Sequence, residues 1–359
     1  MITSLMENSR TLAQVEDLAA KMLKCGRLRA KRLDHGGNAQ VFVLETSGET
    51  PRHVIKFYFR HPADPRDRLE TEFSGFSFLW GQGITNIPRP VAVNQKESCA
   101  IYEFIEGEKI LPANITMEDI KYAADFLACL KGLNNTARSY NIAPASDACF
   151  SISAIVASIE GRLARLSKIE GEGQEYEELG SFLQDDFKPF SDVLTQWAKG
   201  QCARENISFD SEISREERTL SPSDFGFHNT IRRRDGRIVF LDFEYFGWDD
   251  PAKMIADFLL HPAMALSEQI KKAFAARTLE VFAENRPLAK RVRIVHPLLA
   301  LKWCMIKLNE FVPGDFSRRV YAAGNPLNKS RVRREQLLKA KNLYSKIQAT
   351  YENFPYANG

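Results

Sequence analysis

The sequence lacks the features of a membrane-spanning, secreted or nucleic-acid-binding chain. No apolar run approaches the ~20 residues that a helix needs to cross a bilayer. The first 24 residues carry Glu7, Glu16 and Asp17 in place of the continuous apolar core of a signal peptide. The net charge of the 359-residue chain is only +3, which indicates neither a nucleic acid nor a membrane surface as partner. We therefore expect a cytoplasmic protein with no nucleic-acid or membrane partner, and no pattern indicates its oligomeric state.

The six cysteines form no CxxC pair, which disfavours a metal or redox role for them. Most of them have apolar neighbours in the sequence, so we expect reduced side chains that pack in the core. They are Cys25, Cys99, Cys129, Cys149, Cys202 and Cys304.

Two common nucleotide-binding motifs are also missing. The sequence contains neither GxxxxGK followed by Ser or Thr, nor a convincing GxGxxG unit with its acidic partner. P-loop and Rossmann domains therefore have no support. What remains is an ordinary globular composition, with 44% hydrophobic and 26% charged residues. The length suggests about two domains or one two-lobed unit.

The pattern along the chain changes near Gly107. From about Leu28 to Ile105 it predicts strands with one helix, and beyond Gly107 it predicts mainly helices. We therefore predict an α+β protein with a small sheet-rich domain over 1–105 and a larger, mainly helical domain over 106–359. A leading helix within 1–27 begins at a capping box of Thr11 and Gln14. The other predictions are a strand at 53–59, a helix at 64–80, a connection ended by Pro88 and Pro90, a strand at 98–105, a strand pair within 220–245, and helices within 117–134, 151–200 and 251–350.

The strongest chemical signal is a hairpin pattern that ends in acidic residues. Asp235-Gly236 is a preferred two-residue type I′ turn. Counting outward from that turn pairs Arg234 with Arg237 and finally Asn229 with Asp242. Directly opposed residues lie close together, so an amide oxygen and a carboxylate can bind one hard cation such as Mg²⁺.

Asp224 lies five residues before Asn229, which is the spacing of the catalytic Asp and the metal-binding Asn in kinase catalytic loops. Such an Asp accepts the proton of an attacking hydroxyl group. The alternative is a charged surface hairpin with incidental acidic residues, since Asp and Asn are common in turns. Register and spacing agree independently, which favours the catalytic interpretation.

The N-terminal domain supplies candidates for holding phosphates. Gly36, Gly37 and Asn38 lie between two predicted strands, where backbone N–H groups can approach a phosphate closely, although a plain hairpin turn fits equally well. Lys56 lies in an otherwise apolar strand; an exposed strand lysine is the alternative. Kinases place a phosphate-binding lysine at such a position and pair it with a helix glutamate. We prefer Glu72 for this pairing because it shares a helix face with Phe76, and Glu70 is the competing candidate.

Together these residues resemble the aminoglycoside phosphotransferase and choline kinase-like family from about Leu33 to beyond Trp303. The resemblance implies a bilobal protein-kinase-like fold with a small sheet-rich N-lobe and a larger, mainly helical C-lobe. The segments that carry it are Leu33-Asp34-His35-Gly36-Gly37-Asn38, Val54-Ile55-Lys56, the helix of Glu72, Ile101-Tyr102-Glu103-Phe104-Ile105-Glu106-Gly107, the loop from Ser221 to Asn229, Leu241-Asp242-Phe243-Glu244-Tyr245, and Asp249-Asp250-Pro251 with Asp257.

The same resemblance implies a set of roles. ATP or GTP is bound in the N-terminal lobe, with its base against the backbone of Glu103, Phe104 and Ile105. Asp224 is the catalytic base, Asn229 and Asp242 bind Mg²⁺, and Glu244 is a weaker candidate for a second metal. Lys56 holds the phosphates and Glu72 orients it.

One position departs from the family pattern. The family usually has His two residues before the catalytic Asp, and this chain has Pro222 there, which puts the loop geometry in doubt more than the chemistry. His228 is expected to pack within the loop rather than bind metal, because Mg²⁺ favours oxygen ligands.

The expected activity is phosphoryl transfer to a hydroxyl group of a small molecule, such as a sugar, an amino alcohol or an aminoglycoside-like compound. The aromatic residues expected near the acceptor are Tyr245, Phe246, Trp248 and Trp303, although core packing is the more common use for the last. The alternative is a pseudokinase that binds nucleotide and acts as a regulatory protein. Protein phosphorylation is disfavoured because no Ala-Pro-Glu segment follows Asp242.

Overall fold

The computed structural model describes residues 10–33, 39–46, 52–60, 64–323 and 328–356. The backbone groups into two compact units. The first unit comprises Met1–Ile110, Asn229–Phe246 and Pro313–Leu327, and the second comprises Leu111–His228, Gly247–Val312 and Asn328–Gly359. The predicted division into a nucleotide-binding domain over 1–105 and a catalytic domain over 106–359 stays a prediction.

A five-stranded antiparallel sheet forms the centre of the first unit. Its strands are β1 (Leu28–Leu33), β2 (Ala39–Thr46), β3 (His53–Tyr58), β4 (Pro90–Asn94) and β5 (Cys99–Glu103), in the spatial order β1-β2-β3-β5-β4. Strand β4 is not among the predicted strands, because the prolines of this segment are expected to end the connection there. A proline is tolerated at the first residue of an edge strand, where no neighbouring strand needs its N–H group.

Two helices cover this sheet. Helix α1 (Leu12–Leu23) has the predicted capping box, in which Thr11 and Gln14 exchange side-chain and backbone hydrogen bonds. It buries Val15 and Ala19 in a core with Ile55 and other sheet residues. Helix α2 (Arg68–Gly81) begins four residues later than predicted, because the Asp67 carboxylate accepts the N–H of Glu70 and caps the first turn.

The rest of the first unit is a small three-stranded sheet and a helix. The sheet has the order β6-β8-β9, from β6 (Glu108–Lys109), β8 (Thr230–Arg232) and β9 (Ile238–Phe240). Gly107 is required where the chain enters β6, because a Cβ atom there would lie 2.3 Å from the carbonyl oxygen of Arg232. Helix α11 (Pro313–Ala323) contacts β2, where the Gln40 side chain donates to the carbonyl of Tyr321.

The predicted register of the β8–β9 hairpin is wrong by one residue. Thr230 pairs with Phe240, and the Leu241 N–H donates to the carbonyl of Asn229 at 2.8 Å, so Asn229 faces Leu241 and not Asp242. A type I′ turn needs positive φ at both central residues, but only Gly236 has it, at +85°. The loop therefore has three residues, with Gly236 in the left-handed position, and the extra residue shifts the pairing.

The second unit is mainly helical. Its helices are α3 (Met117–Gly132), α4 (Asn134–Ala137), α5 (Ile152–Leu166), α6 (Gln174–Ser181), α7 (Lys188–Glu205), α8 (Pro251–Leu260), α9 (Glu268–Val281), α10 (Leu288–Lys307) and α12 (Lys329–Thr350). Strands β7 (Thr219–Ser221) and β10 (Gly247–Asp249) form an antiparallel pair. A π-helical turn, Phe182–Phe187, joins α6 to α7, and short 3₁₀ turns lie at Pro112–Asn114, Arg215–Glu217, Phe227–Asn229 and Leu308–Phe311.

Helices α8 and α10 form the buried centre of this unit. One carboxylate connects them. Asp250 caps α8 through Ala252 N–H at 2.8 Å, and its other oxygen accepts Nε and Nη2 of Arg291 on α10 at 2.8 and 2.7 Å. Because both groups are buried, this charge-assisted pair, in which one oxygen accepts two N–H groups, helps to fix how α8 lies against α10. This position determines where the residues that follow α8 are placed.

The fold class predicted from the sequence is confirmed: a sheet-rich N-terminal part and a mostly helical remainder. The six cysteines are free thiols, and four of them are buried. None of the helices in the described ranges combines the length and apolarity needed to span a membrane.

Candidate active site

A buried ion cluster in the first unit centres on Lys56. Its Nζ atom lies 2.7 Å from Oε2 of Glu72, 2.7 Å from Oδ1 of Asp242 and 2.9 Å from Oε1 of Glu244. Lys56 lies on β3 and Glu72 on α2, whereas Asp242 and Glu244 follow β9. The predicted pairing of Lys56 with Glu72 is therefore present, and Glu70 lies exposed on the same helix.

Glu72 connects three parts of the first unit through its two oxygens. Oε2 accepts Lys56 Nζ and also the Tyr58 hydroxyl group, at 2.5 Å, while Oε1 accepts the backbone N–H of Phe243 at 3.0 Å. The Tyr58 hydroxyl group also lies 2.7 Å from that of Tyr102. These bonds fix the segment that carries Asp242 against helix α2, and they also hold the Lys56 side chain in position.

Lys56 is outnumbered by the carboxylates around it. Lys56 faces three carboxylates, and Arg68, with Nε 3.5 Å from Glu244, also pairs with Asp64 at 2.6 Å. Burial raises the pKa of Glu244 to about 7, and this effect exceeds the lowering by Lys56. Burial likewise raises the pKa of Glu72. Burial alone would lower the pKa of Lys56, but Asp242, Glu244 and Glu72 raise it well above the ordinary value, so the ammonium stays charged.

This arrangement suits a divalent cation. Oxygen atoms of Glu72, Asp242 and Glu244 lie within 4.8 Å of one another. The Asp242 side chain is 33% exposed, whereas those of Glu72 and Glu244 are at most 2% exposed, so Asp242 is the most accessible of the three carboxylates. Carboxylate oxygens are the ligands that Mg²⁺ prefers in proteins. Asp242 has φ +65°, a left-handed conformation that begins where the β9 pairing ends.

Asn229, the other predicted metal ligand, immediately precedes β8. Its carbonyl oxygen is used in the hairpin ladder through Leu241. The one-residue shift in register removes the direct cross-strand pairing with Asp242 that first suggested a shared ion. The roles of both residues as Mg²⁺ ligands stay predictions.

The segment predicted to contact the nucleotide base begins at Glu103, the last residue of β5. The N–H of Glu103 donates to the carbonyl of Arg89, and the N–H of Phe104 donates to the carbonyl of Arg52, each at 2.9 Å. The Glu103 carboxylate pairs with Arg233 at 3.0 Å. The N–H groups of Glu103 and Phe104 are therefore both engaged within the first unit. Gly36, Gly37 and Asn38 lie outside the described residues.

Asp224 lies in the second unit, in the loop after β7. The preceding residue, Ser223, has φ +67°, and its hydroxyl group donates to the carbonyl of Ser146 at 3.2 Å. On the other side, Phe225 is buried between Phe126 and Phe258, with ring centroids 5.9 and 5.7 Å away. The loop is thus held on both sides of Asp224.

Two histidines contact Asp224. The Nε2 atoms of His228 and His261 each lie 3.2 Å from Oδ1 of Asp224. Burial alone would raise the pKa of Asp224, but hydrogen bonds with the two imidazoles hold it well below the ordinary value, so the carboxylate is ionised at neutral pH. His228 was expected only to pack within the loop. His261 was not singled out, because nothing in the sequence relates it to Asp224.

A second buried ion network is connected to His261 through Trp303. Lys253 on α8 pairs with Asp249 at 2.9 Å and with Asp257 at 3.0 Å. Asp257 in turn accepts Nε1 of Trp303 on α10 at 3.1 Å. Trp303 is half-buried and packs edge-on against His261, so its use in packing agrees with the more common role expected for it.

The other aromatic residues expected near an acceptor are placed differently. Phe246 is buried in the first unit, stacked against Phe243 and lying over Gly75, where a Cβ atom would approach it to 2.8 Å. Tyr245 lies near the guanidinium groups of Arg66 and Arg68. Phe246 therefore contributes to packing behind the ion cluster.

Comparison with known proteins gives a family and a fold. The family profile described as "Phosphotransferase enzyme family" matches residues 29–290, which is more than half of the chain. Among curated protein sequences, none matches the chain significantly.

Several solved structures are similar in fold. The choline kinase of Cryptosporidium parvum has 16% sequence identity and a TM-score of 0.55, and the alignment covers 96% of each chain. The ADP-bound aminoglycoside phosphotransferase APH(2'')-Ib has 18% identity and a TM-score of 0.57, with 95% of this chain and 99% of that chain covered. Spectinomycin phosphotransferase APH(9)-Ia, in complex with ADP and spectinomycin, has 12% identity and a TM-score of 0.59, with 92% and 100% covered. At these identities the likeness shows the fold, which is the kinase-like fold expected from the sequence.

Proposed function

Because the chain belongs to the phosphotransferase enzyme family, we propose that it transfers the γ-phosphoryl group of ATP or GTP to a hydroxyl group of a small molecule. The observation that carries this proposal is the contact of Lys56 with Glu72, Asp242 and Glu244. A lysine on a buried strand, paired with a helix glutamate and with an aspartate that follows a short strand, is the arrangement that kinases use for the nucleotide phosphates.

In this proposal, the first unit binds the nucleotide. Lys56 is charged and is held in position by Glu72. When Asp242 binds a cation in place of the lysine, a small movement of Lys56 lets it donate to phosphate oxygens. Asp242 and Asn229 are the proposed ligands of Mg²⁺, with Glu244 close to the first. When bound, Mg²⁺ neutralises charge on the phosphates. The backbone of Glu103, Phe104 and Ile105 contacts the base.

The second unit supplies the base. Asp224 accepts the proton of the acceptor hydroxyl group while the oxygen of that hydroxyl group forms a bond to the γ-phosphorus. The bond between that phosphorus and the bridging oxygen breaks, and its electron pair leaves on the nucleoside diphosphate. Because its pKa is held low, Asp224 is ionised across the whole neutral pH range, which is the form that a general base needs.

The acceptor belongs to the small hydroxyl compounds. The structures similar in fold include kinases whose names give choline, ethanolamine and aminoglycosides as substrates. We propose a sugar, an amino alcohol or an aminoglycoside-like compound for this chain.

The test is consumption of Mg·ATP and Mg·GTP across a panel of choline, ethanolamine, gentamicin, spectinomycin and simple sugars. We expect nucleotide consumption that depends on one acceptor class, with the phosphorylated acceptor detected by mass spectrometry. Tight nucleotide binding with no turnover on any compound, and none in water alone, would instead support a nucleotide-binding regulatory protein.

A further inference from the structure

The carboxylate of Asp224 is contacted from two separate elements. His228 belongs to the same loop, four residues later, whereas His261 directly follows helix α8. Both Nε2 atoms approach the same oxygen, Oδ1, at 3.2 Å. The two rings are stacked, with centroids 3.8 Å apart and planes within 7° of parallel. The two imidazoles together therefore hold the position of Oδ1.

The backbone fixes the proton position on His261. The N–H of Ala263 donates to Nδ1 of His261 at 3.3 Å, so Nδ1 carries a lone pair. A neutral imidazole then has its proton on Nε2, and Nε2–H donates to Asp224. A hydrogen bond to an ionised carboxylate is stronger than a neutral one. Because Nε2 carries the proton, this tautomer also disfavours a metal ion held by Asp224, His228 and His261, since a ligating nitrogen must be unprotonated.

His261 is itself held in place. Its ring packs edge-on against Trp303, with centroids 4.9 Å apart and an interplanar angle of 85°. Trp303 is fixed by its hydrogen bond to Asp257, and Asp257 by Lys253. The position two residues before Asp224 is Pro222, which has no side-chain donor to offer. Support for the carboxylate therefore comes from His228 in the same loop and from His261 at the end of α8.

We propose that His261 is a positioning residue for the catalytic base: it donates from Nε2 to Asp224 and holds that carboxylate in the orientation that accepts the acceptor's proton. The inference rests on the proposed function, because it takes Asp224 as the base. Loss of the donor leaves nucleotide binding intact and slows the chemical step. Small misplacements of a reacting group reduce rates by up to about 100-fold, so we expect a loss of roughly 10- to 100-fold in kcat.

The test compares His261→Gln with His261→Met in the full chain. Both side chains have a similar length, but only glutamine offers an N–H donor near the position of Nε2. ADP formation from Mg·ATP is measured in water alone and with choline and gentamicin as acceptors, and the Kd for ATP is measured in parallel. We expect His261→Met to lower kcat by roughly 10- to 100-fold with the Kd within about twofold, and His261→Gln to recover most of the rate.

Two further measurements make the outcome decisive. Long-range ¹H–¹⁵N spectra of the wild type should show the Nε2–H tautomer for His261, and an Nδ1–H tautomer overturns the proposal whatever the activity. Turnover that survives in Asp224→Asn overturns the assignment of Asp224 as the base, and this inference with it. Turnover that is lost in Asp224→Asn but unchanged in His261→Met, or lost equally in His261→Met and His261→Gln, overturns this inference alone. Melting temperatures of the variants identify any loss that comes from unfolding.

Discussion

Lys56 and Asp242 are 186 residues apart in the sequence, yet Nζ of the first lies 2.7 Å from Oδ1 of the second. The contact exists because Glu72 binds both the lysine side chain and the backbone N–H of Phe243, the residue after Asp242. One carboxylate on helix α2 thus brings a strand lysine and a distant acidic segment together. The proposed phosphate-binding site depends on that carboxylate.

The first prediction concerns Glu72. Glu72→Gln removes the charge that holds Lys56 and places an amide donor against the ammonium group, so Lys56 shifts from its position. We expect nucleotide turnover to fall by about 10- to 100-fold, as for other small misplacements of a reacting group. Steady-state kinetics with Mg·ATP measure this. Glu70→Gln is the matched control, because Glu70 lies on the same helix but is exposed and contacts Ser74 and Gln95. Equal losses in the two variants would contradict the role of Glu72.

The preference for Glu72 shows what a helical pattern can predict. Its spacing from Phe76 put it on the buried face of α2, and the structure has it 2% exposed. The capping box of α1 and the buried strand β3 were likewise predictable from the sequence, because each depends on residues close together in the chain.

Features that depend on distant parts of the chain were not predictable. The predicted hairpin register was wrong by one residue, because the Asp235-Gly236 sequence is compatible with both a two-residue and a three-residue loop. His261 could not be connected to Asp224, because their contact is set by the packing of α8 against α10. No local pattern encodes that packing.

The second prediction tests the hairpin turn. Gly236 has φ +85° and open space around it, so a side chain there costs only backbone strain. Gly236→Ala should lower the free energy of unfolding by about 1–2 kcal/mol. Gly161 lies inside helix α5, also with open space and without positive φ, so Gly161→Ala should raise the same quantity by about 0.5–1 kcal/mol. Urea denaturation measures both. A neutral or stabilising Gly236→Ala would favour a different turn.

The third prediction concerns stability and pH. Burial raises the pKa of Asp249 from 3.8 to about 6, despite its ion pair with Lys253. Between these values the folded chain binds more protons than the unfolded chain, so the free energy of unfolding falls as pH rises from about 4 to 6. The size of this contribution is of the order of 2–3 kcal/mol.

Asp249→Asn should remove that part of the pH dependence. Urea denaturation at several pH values from 4 to 7 gives the free energy of unfolding for the wild type and the variant. The difference between them should change across this window in favour of the variant at higher pH. Asp192→Asn, at an exposed position on α7, should follow the wild type throughout. A constant difference for Asp249→Asn would show that Asp249 has no raised pKa.

The measurement that tests the central proposal most directly is turnover of Mg·ATP by Asp224→Asn beside the wild type, with ATP affinity measured for both. Removal of a general base typically costs 10²–10⁴-fold, so we expect kcat to fall by about that factor while the Kd for ATP stays within about twofold. Near-normal turnover in Asp224→Asn, in a variant that remains folded, would contradict the assignment of Asp224 as the base and the phosphotransfer mechanism built on it.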